Sequence, residues 1–226
     1  MSTNISLILT LLIWVFLWVV GLGYFFVHLL KNGITYTKNY GITIAYFILM
    51  SLFTFILFKS HFEPFLVELA ILPFAILAVT ILVCLGIYKY GKRRFLINRA
   101  YLETHPTEHL LRLDNRYIFS KLGETLLHQI LVMLLVAFLT EYGLNLVEII
   151  IISTVLFTAT HVALIPTTDF SFGFYFTAAI ALSAFIFPPI VILTNYGFIY
   201  NIALELLFYT LSAVIFWSHY KLKPPA

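Results

Sequence analysis

Long apolar stretches separated by short polar segments dominate the pattern of this chain. A helix needs about 20 apolar residues to cross the roughly 30 Å hydrocarbon core of a bilayer. Seven stretches approach or exceed that length, each bounded by polar or turn-forming residues: Ile5–Leu30, Gly41–Phe58, Phe65–Tyr88, Ile118–Leu139, Leu144–Ile165, Ser171–Leu193 and Tyr196–Trp217. The pattern therefore predicts an all-α fold, a polytopic transmembrane helical bundle of about seven spans.

Composition strengthens this prediction. Hydrophobic residues make up 62% of the 226 residues and charged residues only 10%, whereas soluble domains carry about 25% charged residues. Lipid must therefore be the main solvent of this chain, which predicts a multi-pass protein of the cell membrane with membrane lipids as partners. The net charge of +3 is too small to indicate a nucleic-acid partner. The first stretch lacks a basic leader and a cleavage site, so we interpret it as a retained helix.

The basic residues predict the orientation of the bundle. With seven spans the termini lie on opposite sides, and every lysine and arginine except Lys59 then falls on one side. Because basic residues concentrate on the cytoplasmic side of membrane proteins, we expect an outside N-terminus and a cytoplasmic C-terminus. The chain then divides into residues 1–117, with three helices and a basic cytoplasmic loop at 89–117, and residues 118–226, with four helices.

The basic loop also holds four potential metal ligands, namely Glu103, His105, Glu108 and His109. Pro106 interrupts this group and no cysteine accompanies it, so a solvated loop is the favoured interpretation. The one cysteine, Cys84, lies in an apolar stretch, which excludes an intrachain disulfide and favours a packing role.

Ionisable groups inside membrane spans are costly and are candidates for function. The candidates are His28, Glu68, Glu124, His128, Glu148, His161 and Glu205, together with the uncharged Asn201. His28 and Glu148 lie near span ends, where they can reach the head groups. Glu68 lies about one turn inside its span, and a protonated structural carboxyl remains as good an interpretation of it as a functional one.

The remaining candidates concentrate in the last four spans. Glu124 and His161 lie at similar depth on spans that run in opposite directions, so their side chains are expected to meet. A carboxylate beside an imidazole, both partly desolvated, is a minimal arrangement for activating water. His128 lies four residues after Glu124 and shares its helix face, as Glu205 does with Asn201.

Two of these segments resemble sequence motifs of a known family. Residues 124–129, Glu-Thr-Leu-Leu-His-Gln, resemble the Glu-Glu-x-x-x-Arg motif of the CAAX prenyl protease and bacteriocin-processing (CPBP) intramembrane proteases. Residues 157–161, Phe-Thr-Ala-Thr-His, match that family's Phe-x-x-x-His motif. Asn201 and Glu205 occupy the place of a third motif, His-x-x-x-Asn or His-x-x-x-Asp, and a shifted register would use Glu205 and Tyr209 instead. The resemblance covers roughly Ile118–Trp217.

The resemblance implies an intramembrane endopeptidase with a CPBP-like core at residues 118–226. It assigns water activation to Glu124 and His161, and stabilisation of the oxyanion to Asn201 and Glu205. His128 is a supporting residue, as are Thr125 and Gln129, which replace the second Glu and the Arg of the first motif. The expected substrate is a membrane-associated or lipidated peptide, cleaved near the cytoplasmic face.

The resemblance implies chemistry without a metal or other cofactor. As an alternative, the residue types also form a plausible zinc ligand set, namely Glu124, His128, His161 and Glu205.

Two other functions remain open. The departures from the first and third motifs favour a catalytically inactive relative, acting as a membrane scaffold or as an immunity protein against a bacteriocin-type peptide. A small transporter with polar groups along a path is the other alternative. A transporter predicts inverted repeats or broken helices, and Pro188-Pro189 is the one candidate break.

Overall fold

The computed structural model describes residues 2–66, 71–95, 112–162 and 170–219, and these ranges contain helices and turns but no strand. The helices are α1 (Ser2–Trp18, continued by π-helical turns at Val19–Gly23 and Phe25–Leu29), α2 (Tyr40–Leu57), α3 (Ile71–Arg94), α4 (Asn115–Glu141), α5 (Leu146–Val162), α6 (Phe170–Leu193) and α7 (Gly197–His219). A short helical turn at Lys59–Phe62 and a 3-10 turn at Glu63–Phe65 follow α2. The predicted all-α fold is confirmed.

Six of the helices are long and apolar enough to cross a membrane: α1 with its extension, α2, α3, α4, α6 and α7. Helix α5 is apolar but has only 17 residues, and residues 163–169 beyond it lie outside the described ranges. The chain therefore has the architecture of a multi-pass membrane protein. The seventh span and the orientation of the termini stay predictions.

Helix α4 is the centre of the bundle and contacts each of the other six helices. Within its most apolar window 89% of the residues are buried, against 22% in α2 and in α3. The outer helices therefore keep most of their apolar side chains on the outer surface, where a bilayer replaces water as their neighbour. Polar residues in the middle of α4, such as Glu124, His128 and Gln129, are buried against other helices.

Local signals fix both ends of α4 and the start of α5. Asp114 caps α4, because its side chain accepts a hydrogen bond from the backbone N–H of Arg116 at 2.9 Å. Gly143, with φ +76°, allows the turn that ends the helix. Asn145 then caps α5, and the Glu148 carboxylate accepts from the Asn145 N–H at 2.8 Å in a reciprocal capping box.

Helix α3 and helix α6 differ from the sequence-based expectations. Helix α3 continues beyond the predicted end at Tyr88 to Arg94, because basic residues in a last helical turn are stabilised by the helix dipole. Helix α6 continues through Pro188 and Pro189, so the expected break is absent. Membrane helices tolerate prolines where the freed backbone groups find other partners. Beside these prolines, the Asn201 amide of α7 donates a hydrogen bond to the Phe187 carbonyl at 3.1 Å.

Candidate functional site

Glu124 lies on the buried surface of α4, and both of its carboxylate oxygens have partners. The Lys121 Nζ atom lies 2.6 Å from Oε1, and the Tyr36 hydroxyl donates a hydrogen bond to Oε2. All three residues are buried. A buried carboxylate is stable only with such compensation. Glu124 is therefore held by a cation and a phenol in the folded protein.

Tyr36 brings the segment between α1 and α2 onto α4. Its backbone carbonyl accepts a hydrogen bond from Ser120 Oγ at 2.8 Å. Burial, and then the neighbouring Glu124 carboxylate, raise the pKa of Tyr36 well above its ordinary value, so the phenol stays protonated and remains a donor. Lys121 Nζ also lies 3.6 Å from the centre of the Tyr209 ring, which adds a cation–π contact from α7.

A second polar cluster lies one helical turn further along α4. His128 Nδ1 is 3.0 and 3.1 Å from the two oxygens of Glu205 on α7. Gln129 Nε2 donates to Glu205 Oε2 at 2.8 Å. All three side chains are buried. The packing of α4 against α7 forms this network. It joins His128 and Gln129, from the segment that resembles the first motif, to Glu205, which lies at the place of the third.

Glu205 fixes the orientation of the His128 ring. An ionised carboxylate only accepts hydrogen bonds, so Nδ1 of His128 carries a proton, and in the neutral form of the ring Nε2 is the acceptor. His128 Nε2 is buried and has no hydrogen-bond partner among the described residues. A carboxylate at one ring nitrogen and an available lone pair at the other is the arrangement of a general base.

His161 lies beside this network, and its ring packs against the rings of His128 and Trp18. The centroid of the His161 ring lies 6.3 Å from that of His128 and 5.5 Å from that of Trp18. Its Nδ1 lies 2.8 Å from the Phe157 carbonyl oxygen. Because a carbonyl only accepts, Nδ1 of His161 is protonated. Within the described ranges His161 contacts His128, and no hydrogen bond joins it to Glu124.

The other predicted site residues have separate environments. Asn201 donates its amide hydrogen bond to the Phe187 carbonyl of α6 at 3.1 Å. Thr125 bonds back to the Leu122 carbonyl at 3.1 Å. Of the two registers for the third motif, both members of the pair Glu205 and Tyr209 contact polar residues of α4, since Glu205 bonds His128 and the Tyr209 ring lies against Lys121.

The alternative zinc ligands are divided between the two clusters. Glu124 pairs with Lys121 and Tyr36, whereas Glu205 pairs with His128 and Gln129. No three His, Cys, Asp or Glu side chains form a metal-binding group in the part of the chain that the structure describes. Glu68 and the four candidate ligands of the basic loop, Glu103, His105, Glu108 and His109, lie outside that part.

A cavity of about 240 Å³ lies between α6 and α7 and reaches Glu205. Its walls are mostly apolar, and Glu205, Tyr209 and Ser183 are its polar groups. The exposed side chains of Leu182 and Leu204 also line it. The cavity therefore connects the buried carboxylate with the outer, lipid-facing surface of the bundle.

Sequence reasoning missed two of the residues that complete these clusters, Tyr36 and Trp18. Both come from the N-terminal third of the chain, and neither has a local signal for its role. Lys121, in contrast, has a local signal, because it lies three residues before Glu124 on the same helix face.

No family model matches the chain, and no curated protein and no solved structure matches it either.

Proposed function

We propose that this chain is a divergent intramembrane endopeptidase of the CPBP type. One observation carries the proposal: a buried histidine, His128, is oriented by the Glu205 carboxylate at 3.0 Å and has an unpartnered Nε2 among the described residues. His161, the histidine of the second motif, lies beside it. Acid–base groups that are buried in a membrane interior and orient one another are hard to explain by stability alone.

In this mechanism His128 acts as the general base. Its Nε2 removes a proton from water while the water oxygen attacks a peptide carbonyl carbon, and the Glu205 carboxylate stabilises the imidazolium that forms. His128 then returns the proton to the leaving amine as the carbon–nitrogen bond breaks. The resemblance assigns the water-activating carboxylate to Glu124, but we assign that role to the His128–Glu205 pair because Lys121 and Tyr36 occupy both oxygens of Glu124.

The cavity between α6 and α7 supports a substrate that arrives from the bilayer. Its lining is apolar up to Glu205, so the cavity suits an extended apolar peptide segment. We propose a membrane-associated or lipidated peptide as substrate, cleaved near the cytoplasmic face. This location depends on the predicted seven spans and on the cytoplasmic position of the basic residues.

The test is a comparison of cleaved membrane proteins in cells that make the wild type or the Glu205→Gln variant. New N-termini near or inside membrane segments are expected with the wild type, and their yield should fall by about 10²- to 10⁴-fold with Glu205→Gln. Glu141→Gln is the matched control, because the Glu141 side chain is 50% exposed and pairs with His61 instead. Equal cleavage by wild type and Glu205→Gln would contradict the proposal.

A catalytically silent relative is the second candidate, and the environment of Glu124 favours it. Both oxygens of this motif-one carboxylate already bond Lys121 and Tyr36, which leaves Glu124 poorly placed to take a proton from water. Such a protein would act as a membrane scaffold or as an immunity protein against a bacteriocin-type peptide. Protection of cells against such a peptide that persists in Glu205→Gln would favour this function over hydrolysis.

A further inference from the structure

Trp18 lies where helix α1 changes its geometry. Regular α-helix ends at Trp18, and π-helical turns begin at Val19. Such turns redirect the side chains around them and are frequent at functional sites. The Trp18 side chain is 4% exposed, and its ring packs edge-on against His161 with the centroids 5.5 Å apart.

The indole N–H groups of Trp18 and Trp14 have different partners. Trp14 lies one turn earlier on α1, and its Nε1 donates to the Leu131 carbonyl of α4 at 2.7 Å. Trp18 Nε1 is buried and has no hydrogen-bond partner in the described ranges. Nearly all buried donors in folded proteins are hydrogen-bonded. The unpartnered N–H of Trp18 therefore needs an explanation, whereas the N–H of Trp14 does not.

A matching acceptor lies beside the same imidazole. His128 Nε2 is the other unpartnered polar atom whose ring packs against His161. One donor and one acceptor are therefore available to a small polar group, each buried and each on a ring that packs against His161. A peptide carbonyl approached by a water molecule has the complementary chemistry, because its oxygen accepts and the water donates.

We propose that Trp18 Nε1–H donates to the carbonyl oxygen of the scissile peptide and stabilises the oxyanion that forms there, an inference that rests on the proposed function. As the water oxygen bonds to the carbonyl carbon and His128 Nε2 takes the proton, the carbonyl π electrons move to oxygen. The Trp18 Nε1–H then donates a hydrogen bond to this negative oxygen. When the carbonyl reforms, the carbon–nitrogen bond breaks and the amine leaves with the proton from His128.

The test replaces the indole of residue 18 by 3-benzothienylalanine, in which sulfur stands in place of the N–H at nearly the same shape. Cleavage of a peptide identified from the new termini should lose about 10²- to 10³-fold in kcat with KM unchanged, which is the usual effect of removing one oxyanion donor. The same replacement of Trp14 is the control. It removes a structural bond to Leu131, so it should lower thermal stability and leave kcat of the folded fraction near wild type.

A second measurement needs no cleavage. A hydrophobic peptide aldehyde, whose hydrate resembles the tetrahedral intermediate, is added while the indole N–H NMR signals are recorded. The Trp18 signal should shift and that of Trp14 should not. An unchanged Trp18 signal, or a Trp18 replacement with wild-type kcat, would overturn this inference, whereas the Glu205→Gln result judges the proposed function separately. If the wild type cleaves nothing, the NMR result alone decides whether Trp18 binds a carbonyl oxygen.

Discussion

At the scale of single residues, the Lys121–Glu124 pair has the clearest energetic consequence. Lys121 is 1% exposed, and its ammonium group contacts only the Glu124 carboxylate and aromatic rings among the described residues. A buried ion pair adds little net stability compared with apolar residues of the same volume, but removal of one partner leaves an uncompensated buried charge. The pair therefore constrains Glu124 more than it stabilises the bundle.

Lys121→Met should accordingly lower the free energy of unfolding by about 3–5 kcal/mol, while the double change Lys121→Met with Glu124→Gln should recover most of that loss. Denaturant titration of the purified protein in detergent micelles measures both values. Lys31→Met is the control, since Lys31 is exposed and should have little effect. A loss below about 1 kcal/mol for the single change would mean that the Lys121 charge is solvated after all.

At the scale of the helices, the α6–α7 connection positions Glu205 through close backbone packing. Gly197 begins α7 directly against the last turns of α6, and a Cβ atom there would overlap the Ile190 carbonyl and the Val191 Cα. Backbone atoms cannot move aside as a flexible side chain can. The spacing of these two helices, and with it the cavity that reaches Glu205, therefore depends on the absence of a side chain at residue 197.

Gly197→Ala should destabilise the protein by about 1–3 kcal/mol or more through overpacking. The matched control is Gly86→Ala on α3, where an added Cβ meets nothing within 4 Å. That change should be neutral or stabilise by about 0.5–1 kcal/mol, as alanine favours a helix over glycine. Thermal unfolding of the two variants in the same detergent compares them, and equal melting temperatures would contradict the packing argument.

Local sequence patterns predicted the helices better than they predicted the partners of each polar side chain. The apolar stretches located the helices because a bilayer imposes their length. The partner of Glu124 depends on Tyr36, which is 88 residues away in sequence, and no local pattern encodes that contact. Spacing and depth predict that Glu124, His128, His161 and Glu205 lie in one region of the bundle. Only the packing of the helices decides that Glu205 bonds His128 while Glu124 bonds Lys121.

At the scale of the whole molecule, the distribution of basic residues predicts the topology. All lysines and arginines except Lys59 fall on one side if α5 crosses the bilayer. If α5 did not cross, α6 and α7 would each reverse direction, and the termini would lie on the same side. The side on which each connecting segment lies is therefore an independent check of the seven-span prediction.

Single cysteines in a Cys84→Ala background test this arrangement. Ser60→Cys, on the exposed turn after α2, should react with a membrane-impermeant maleimide in intact cells. Asn32→Cys, exposed between α1 and α2, should react only after the cells are opened, as should a cysteine in the segment between the end of α3 at Arg94 and the start of α4 at Asn115. Labelling of the Asn32→Cys variant in intact cells would reverse the predicted orientation.

We propose that the catalytic carboxylate is Glu205, acting through His128, and not Glu124. The most direct measurement compares cleavage of one identified peptide by the purified Glu205→Gln variant and by the Lys121→Met, Glu124→Gln double variant, which leaves no unpaired buried charge. We predict a fall in kcat of about 10²- to 10⁴-fold for Glu205→Gln, and a rate close to wild type for the double variant. A folded double variant that has lost cleavage, beside a Glu205→Gln variant that retains it, would contradict the account.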